Sequence, residues 1–79
     1  MNIKVINHGK RVILRLKGYL DGSSAWEIIR KVNSYRDKEI TLDFSEIRDI
    51  HSFGWHTLKS RIRKRVILQG IDFKILREL

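Results

Sequence analysis

The sequence predicts an α/β fold, a two-layer sandwich in the order β-β-α-β-α-β whose mixed sheet carries both helices on one face. Three observations predict it. Residues 11–17 and 39–44 alternate apolar and polar side chains, the pattern of a half-buried strand. Residues 24–34 and 54–68 carry apolar residues at helical spacing. The two strongest strand segments are separated by a helix, which calls for a crossover and parallel pairing. At 79 residues the chain makes one domain, 1–79, with no repeat, linker or low-complexity tract.

The elements follow in order. Residues 2–6 hold Ile3, Val5 and Ile6, a short strand, and Asn7-His8-Gly9-Lys10 is a turn signal. In 11–17, Val12, Leu14 and Leu16 share one face and Ile13, Arg15 and Lys17 the other, so the first two strands form a hairpin with Lys4, Arg15 and Lys17 on its outer side. Gly18–Gly22 is a loop. Ser23 and Ser24 are N-cap residues, and Ser24 with Glu27 fits a capping box. Ala25, Ile28, Ile29 and Val32 then form the apolar stripe of a helix over 24–34, with Arg30 and Lys31 near its C-terminus, where the helix dipole favours cations. In 39–44, Ile40, Leu42 and Phe44 point one way and Thr41 and Asp43 the other. Residues 45–53 read as a connection anchored by Ile47 and Ile50. Gly54 opens a second helix over 54–68 with Trp55, Leu58, Ile62 and Val66 inward. Gly70 is a cap or turn residue, and 72–77 reads as a last strand with Phe73 and Ile75 facing in.

Composition excludes several classes. There is no cysteine, so disulfide scaffolds, thiolate metal sites and cysteine nucleophiles are ruled out. The longest apolar runs, such as Val12-Ile13-Leu14, are too short for a membrane helix, and the first residues lack the apolar stretch of a signal peptide; a cytoplasmic location is the expectation. His51 and His56 are five residues apart, not the spacing of a helical metal pair, and there is no glycine-rich phosphate loop; neither a metal nor a cofactor is expected. Asp49, His51 and Ser52 are triad residue types, but adjacency in sequence is not triad geometry, and no enzyme is expected.

The formal net charge of +8 points to acidic partners. It is unevenly placed. Residues 1–20 and 53–69 each carry five cations and no acid, while 21–52 carry seven acids against five cations. The predicted fold puts the hairpin cations on the open sheet face and those of the second helix on the opposite side. That division makes a nucleic-acid-binding domain the second reading rather than the first.

The stretch Ile40-Thr-Leu-Asp-Phe-Ser-Glu-Ile-Arg-Asp-Ile-His-Ser-Phe-Gly-Trp resembles the signature of the STAS family, which includes bacterial anti-sigma factor antagonists and cytosolic domains of sulfate transporters. Leu42-Asp43-Phe44-Ser45 matches the family's strand end, Ile47 and Ile50 its loop residues, Gly54 its glycine and Trp55 its leucine position. Gly18-Tyr19-Leu20-Asp21 resembles its Gly-x-Leu-Asp loop. The resemblance covers residues 10–76 and implies a protein-binding regulatory module. In phospho-regulated members a Ser or Thr precedes the glycine; here Phe53 stands there, and His51 replaces the acid two residues earlier. A phenyl ring accepts no phosphate, so the switch that would add about −2 charge at a helix N-terminus is lost at this position. Ser52 remains as a hydroxyl, with an ordinary loop serine as its plainer role.

The resemblance places the docking surface for a regulatory protein partner at Arg48, His51, Ser52, Phe53 and His56. Phe53 is either an exposed aromatic contact or a core residue. Family members continue past the last strand with a further helix, which this sequence lacks. The expectation is an uncovered apolar face completed by self-association or by a partner. A role as accessory subunit of a membrane transport ATPase is a third reading, since some members of the family act that way.

Overall fold

The computed structural model describes residues 1–77, with the side chains of residues 76 and 77 left aside. Seven principal elements are present: β1 (Asn2–His8), β2 (Arg11–Leu20), α1 (Gly22–Asn33), β3 (Glu39–His51), α2 (Ser52–Arg61), β4 (Ile67–Gln69) and β5 (Leu76–Arg77), the last preceded by a 3₁₀ turn at Phe73–Ile75. β1 and β2 form an antiparallel hairpin, in which Gly9 takes the left-handed conformation its turn requires. β2 pairs parallel with β3, and β4 and β5 both pair parallel with the far side of β3, at its beginning and its end. The order β1-β2-β3-β4 advances in one direction through two crossovers. Right-handed crossovers of that kind leave both helices on the same face. The expected mixed α/β sandwich is the fold observed.

Between the layers lies one core, built from Val12, Leu14 and Leu16 of β2, Ala25, Ile28, Ile29 and Val32 of α1, and Ile40, Leu42, Phe44, Ile47 and Ile50 of β3. Trp55 and Leu58 of α2 close it. Apart from Ile47 and Ile50, expected as anchors of a connection, these are the inward residues that periodicity names. Each fully buried leucine contributes roughly 1.5–3 kcal/mol.

Several boundaries differ from the sequence reading, each for a physical reason. The strand expected at 39–44 runs to His51, and the connection expected at 45–53 is its continuation. Two bulges hide that continuation by breaking the alternation: the ladder to β2 shifts between Arg15 and Lys17 and again between Gly18 and Tyr19. Helix α1 begins earlier than expected. Its N-cap is Asp21, not a serine, and the capping box is Asp21 with Ser24 rather than Ser24 with Glu27. Helix α2 spans Ser52–Arg61, not 54–68. Ile62 is already extended, and Val66-Ile67-Leu68, a run suited to strand, feeds β4 on the edge of β3. Gly70 is a turn residue with φ +73°, following that strand rather than a helix. The strand expected at 72–77 is a 3₁₀ turn and two strand residues, and Phe73, expected inward, is 62% exposed. Residues 78 and 79, which follow the last strand, lie outside the described residues.

Asp43 holds the first bulge together. It is buried on the open-face side of β3. Its Oδ1 accepts from the Ser45 backbone N–H at 2.9 Å, and its Oδ2 from Arg15 Nε at 3.2 Å, its register partner on β2. The Ser45 N–H, first of all, and then the Ser45 hydroxyl and Arg15 hold this carboxyl below the usual aspartate value of 3.8, against burial, which pushes it up. The stability this supplies is complete above the unfolded value and is lost as pH falls through the lower folded value. Asp43→Asn should therefore destabilise the domain by about 1–3 kcal/mol at neutral pH and blunt its acid sensitivity below the ordinary aspartate range. Urea unfolding of both proteins, carried from neutral pH into the acid limb, checks both expectations.

Candidate functional site

Parallel pairing of β2 with β3 sets Leu20 opposite Ile50 at the carboxyl ends of the two strands. Each strand then turns directly into a helix. The starts of α1 and α2 consequently lie side by side, at the end of the sheet where open α/β folds place their ligands.

The α1 start is tightly built. Asp21 Oδ1 accepts from the Ser24 N–H at 2.9 Å, and the Asp21 N–H donates to Ser24 Oγ at 2.8 Å. The Ser24 hydroxyl also lies 2.9 Å from the Tyr19 carbonyl, tying the helix to the end of β2. The Ser24 N–H, and then its hydroxyl, lower the Asp21 carboxyl below its ordinary value; the Ser23 hydroxyl and His51 add smaller pulls in the same direction. Helix α2 starts differently. His51 is its N-cap and makes no side-chain cap bond, and its first turn has no acid.

Two glycines bring the helix starts together. A Cβ on Gly54 would lie 2.6 Å from the carbonyl carbon and oxygen of Asp21, so only glycine lets α2 seat on this backbone. A Cβ on Gly22 would meet only the edge of the Phe53 ring, at 3.0 Å. Phe53 thus lies over the first residue of α1, yet 62% of it remains exposed. Tyr19, next to last in β2, is 59% exposed.

The structure brings the expected docking residues to one end of the fold but does not present them alike. Arg48 and His56 are exposed, and Phe53 takes the exposed one of its two expected placements. His51 is half-buried, its Nε2 3.8 Å from Asp49 Oδ2. Ser52 is buried, at 7% exposure, and lies beneath the surface rather than on it. The second bulge leaves Arg48 without a register partner on β2, which turns it outward from the strand end. Sequence reasoning missed Tyr19 and Gly22. The signal for both was present in the loop Gly18-Tyr19-Leu20-Asp21-Gly22, where a large aromatic sits among turn residues. Among the described residues no group of side chains is arranged to hold a metal ion, and no helix is long and apolar enough to cross a membrane.

The two glycines make opposite predictions. Gly54→Ala forces backbone apart and should destabilise the domain by about 1–3 kcal/mol, despite the helix propensity of alanine. Gly22→Ala displaces only the end of a flexible side chain and should stay within about 1 kcal/mol of the parent. Paired denaturant titrations measure both.

Comparison with known proteins agrees with this geometry. A solved structure described as "Crystal Structure Analysis of Mglu" matches with a TM-score of 0.76 at 19% identity, over 87% of this chain and 19% of that one. At that identity the likeness is one of fold, and this chain spans only 19% of that protein's length. No curated protein matches. A family model, that of the STAS domain, matches residues 2–77, nearly the whole chain. With the β3 bulge at Asp43, the Gly54 seat and the two adjoining helix starts in place, the chain belongs to the STAS-domain family.

Proposed function

We propose that this domain is a non-catalytic, protein-binding regulatory module of the kind represented by the anti-sigma factor antagonists, and that it docks its partner without a phosphate switch at residue 53. The observation that carries the reading is Phe53. A phenyl ring 62% exposed on the first turn of α2, held over Gly22, is a large apolar contact where the family's regulated members have a small hydroxyl. Aromatic side chains, phenylalanine among them, are enriched at protein interfaces relative to the rest of the surface. Arg48, before it on β3, and His56, after it on α2, are exposed polar groups, and His51 at the end of β3 is half-buried. Ser52 supports the turn from beneath.

Several facts weigh against nucleic acid as the main ligand. Lys4 and Arg15 are register partners on the open sheet face, with Lys17 on the same side, while Lys59 and Arg61 lie on α2 across the sheet. Of the rings beside the second basic segment, Trp55 is buried against Phe44 and Phe73, and Trp26, 40% exposed, is already covered by the Arg61 guanidinium.

Phe53→Ser should leave unfolding within about 0.5 kcal/mol of the parent, because the ring is mainly exposed. It should weaken partner binding by about tenfold or more. Affinity capture from the native cell with parent and variant side by side, followed by titration of the retained protein, measures the second effect. Recovery of a second copy of the chain would identify self-association as the interaction. A partner retained equally by both proteins refutes the docking surface.

A further inference from the structure

We propose that the cleft between residues 36–40 and 63–66 is a binding site for a compact polyanion, a small molecule bearing two or more phosphate groups. It lies at the opposite end of β3 from Phe53, roughly 30 Å away at the rise of a strand, and is independent of the docking surface.

The cleft has a volume of about 700 Å³, within the range that holds small ligands. Its walls exist because α2 ends early. After Arg61 the chain turns back past the C-terminus of α1, and Arg63 joins the two. One guanidinium nitrogen donates to the Arg36 carbonyl at 3.0 Å; the other donates to the carbonyls of Val32 at 2.9 Å and Tyr35 at 3.1 Å. The bond to Val32 engages a carbonyl of the last turn of α1, part of the negative helix end that would otherwise repel an anion. These bonds solvate Arg63 but bring it no carboxylate: its Nε is buried with no acceptor, and no acid lies within 4 Å of it among the described residues. The charge of Arg63 therefore remains, in a region of reduced dielectric, behind the cleft wall.

The remaining charges point the same way. Arg36, Lys64 and Arg65 line the cleft, are exposed, and have no ion pair among the described residues. Lys38 is pinned by the Gly9 carbonyl at 2.7 Å. Of the two acids in the lining, Glu39 is engaged by Arg11 at 3.2 Å, which leaves Asp37 as the sole opposing charge without an ion pair. Ile40 and Val66 add an apolar floor. Arginine forks meet phosphate oxygens two at a time, which selects phosphate over a diffuse acidic surface. Two free arginines and a lysine around one small cleft thus suit several phosphates on one molecule.

Calorimetric titration with inorganic triphosphate and with ATP, both without added metal, tests the site. Three proteins are compared: the parent, Arg36→Gln/Arg65→Gln, and Lys4→Gln/Lys17→Gln, which removes the same charge from the open sheet face. Saturable binding to the parent, weakened about tenfold or more by the cleft variant and less than about threefold by the remote one, is the expected result. Equal affinity for the two ligands identifies free polyphosphate as the preferred source, and tighter binding of ATP identifies a nucleotide. Equal weakening by both variants reduces the effect to net charge and overturns the site. So does binding of single-stranded nucleic acid without binding of either small ligand. Phe53→Ser should leave triphosphate binding unchanged, so failure here and failure of the docking surface are separate results.

Discussion

The parallel ladder between β2 and β3 is the constraint on which the rest depends. It joins residues 28 apart at Arg11–Glu39 and Arg15–Asp43. No local turn can make such a pairing, so α1 must cross over the sheet to permit it. Once it is made, both helices are committed to one face, and their starts are committed to neighbouring positions. The fit between those starts is close enough that Gly54 has backbone, not side chain, as its neighbour. Core burial drives the assembly, but this ladder decides which residues meet at each end of it.

The two ends have different chemistry as a result. At the carboxyl ends of β2 and β3 two helices begin, and the exposed Phe53 ring stands on the first turn of α2. At the amino end α1 finishes, and the chain leaving α2 contributes Arg63 to the carbonyls of Val32, Tyr35 and Arg36. The basic character of the whole chain is therefore not a single property. On the open sheet face it is partly neutralised, as where Arg15 meets Asp43. After α2 it is concentrated and largely unopposed. Arg61 illustrates a further use of charge: its guanidinium lies 5.3 Å from the centre of the Trp26 ring, covering an indole that is 40% exposed.

Much of this was legible in the sequence. Period-two and period-3.6 patterns located the core-facing residues of β2, α1 and the first half of β3, because burial on one face is what those patterns encode. The family signature located the site end, since its glycine and aspartate mark a close approach and a bulge. What could not be read follows from long-range contact. Alternation fails at a bulge, so β3 looked half its length. A basic run with apolar residues at helical spacing looked like helix through Val66, because nothing local shows that Arg63 is bound to carbonyls of residues 32–36. The same error hid the cleft, which exists only where the helix does not. Phe53 could not be placed because its exposure depends on Gly22, a residue 31 positions upstream that leaves just enough room for the ring's edge.

The bulges of β3 have a consequence of another kind. β4 takes up only Thr41–Asp43 and β5 only Ile50 and His51, so among the described residues the outer side of β3 has no strand partner between these points. An unpaired edge in the centre of a sheet invites addition of a foreign strand, the route to fibrillar association. Here the edge is interrupted where it would be most exposed. The Ser45 N–H is turned onto Asp43 and is withdrawn from outside pairing. Glu46 and Arg48 put opposite charges on the same short stretch. The irregularity that disguised this strand in the sequence is also what interrupts its open edge as a template for a foreign strand.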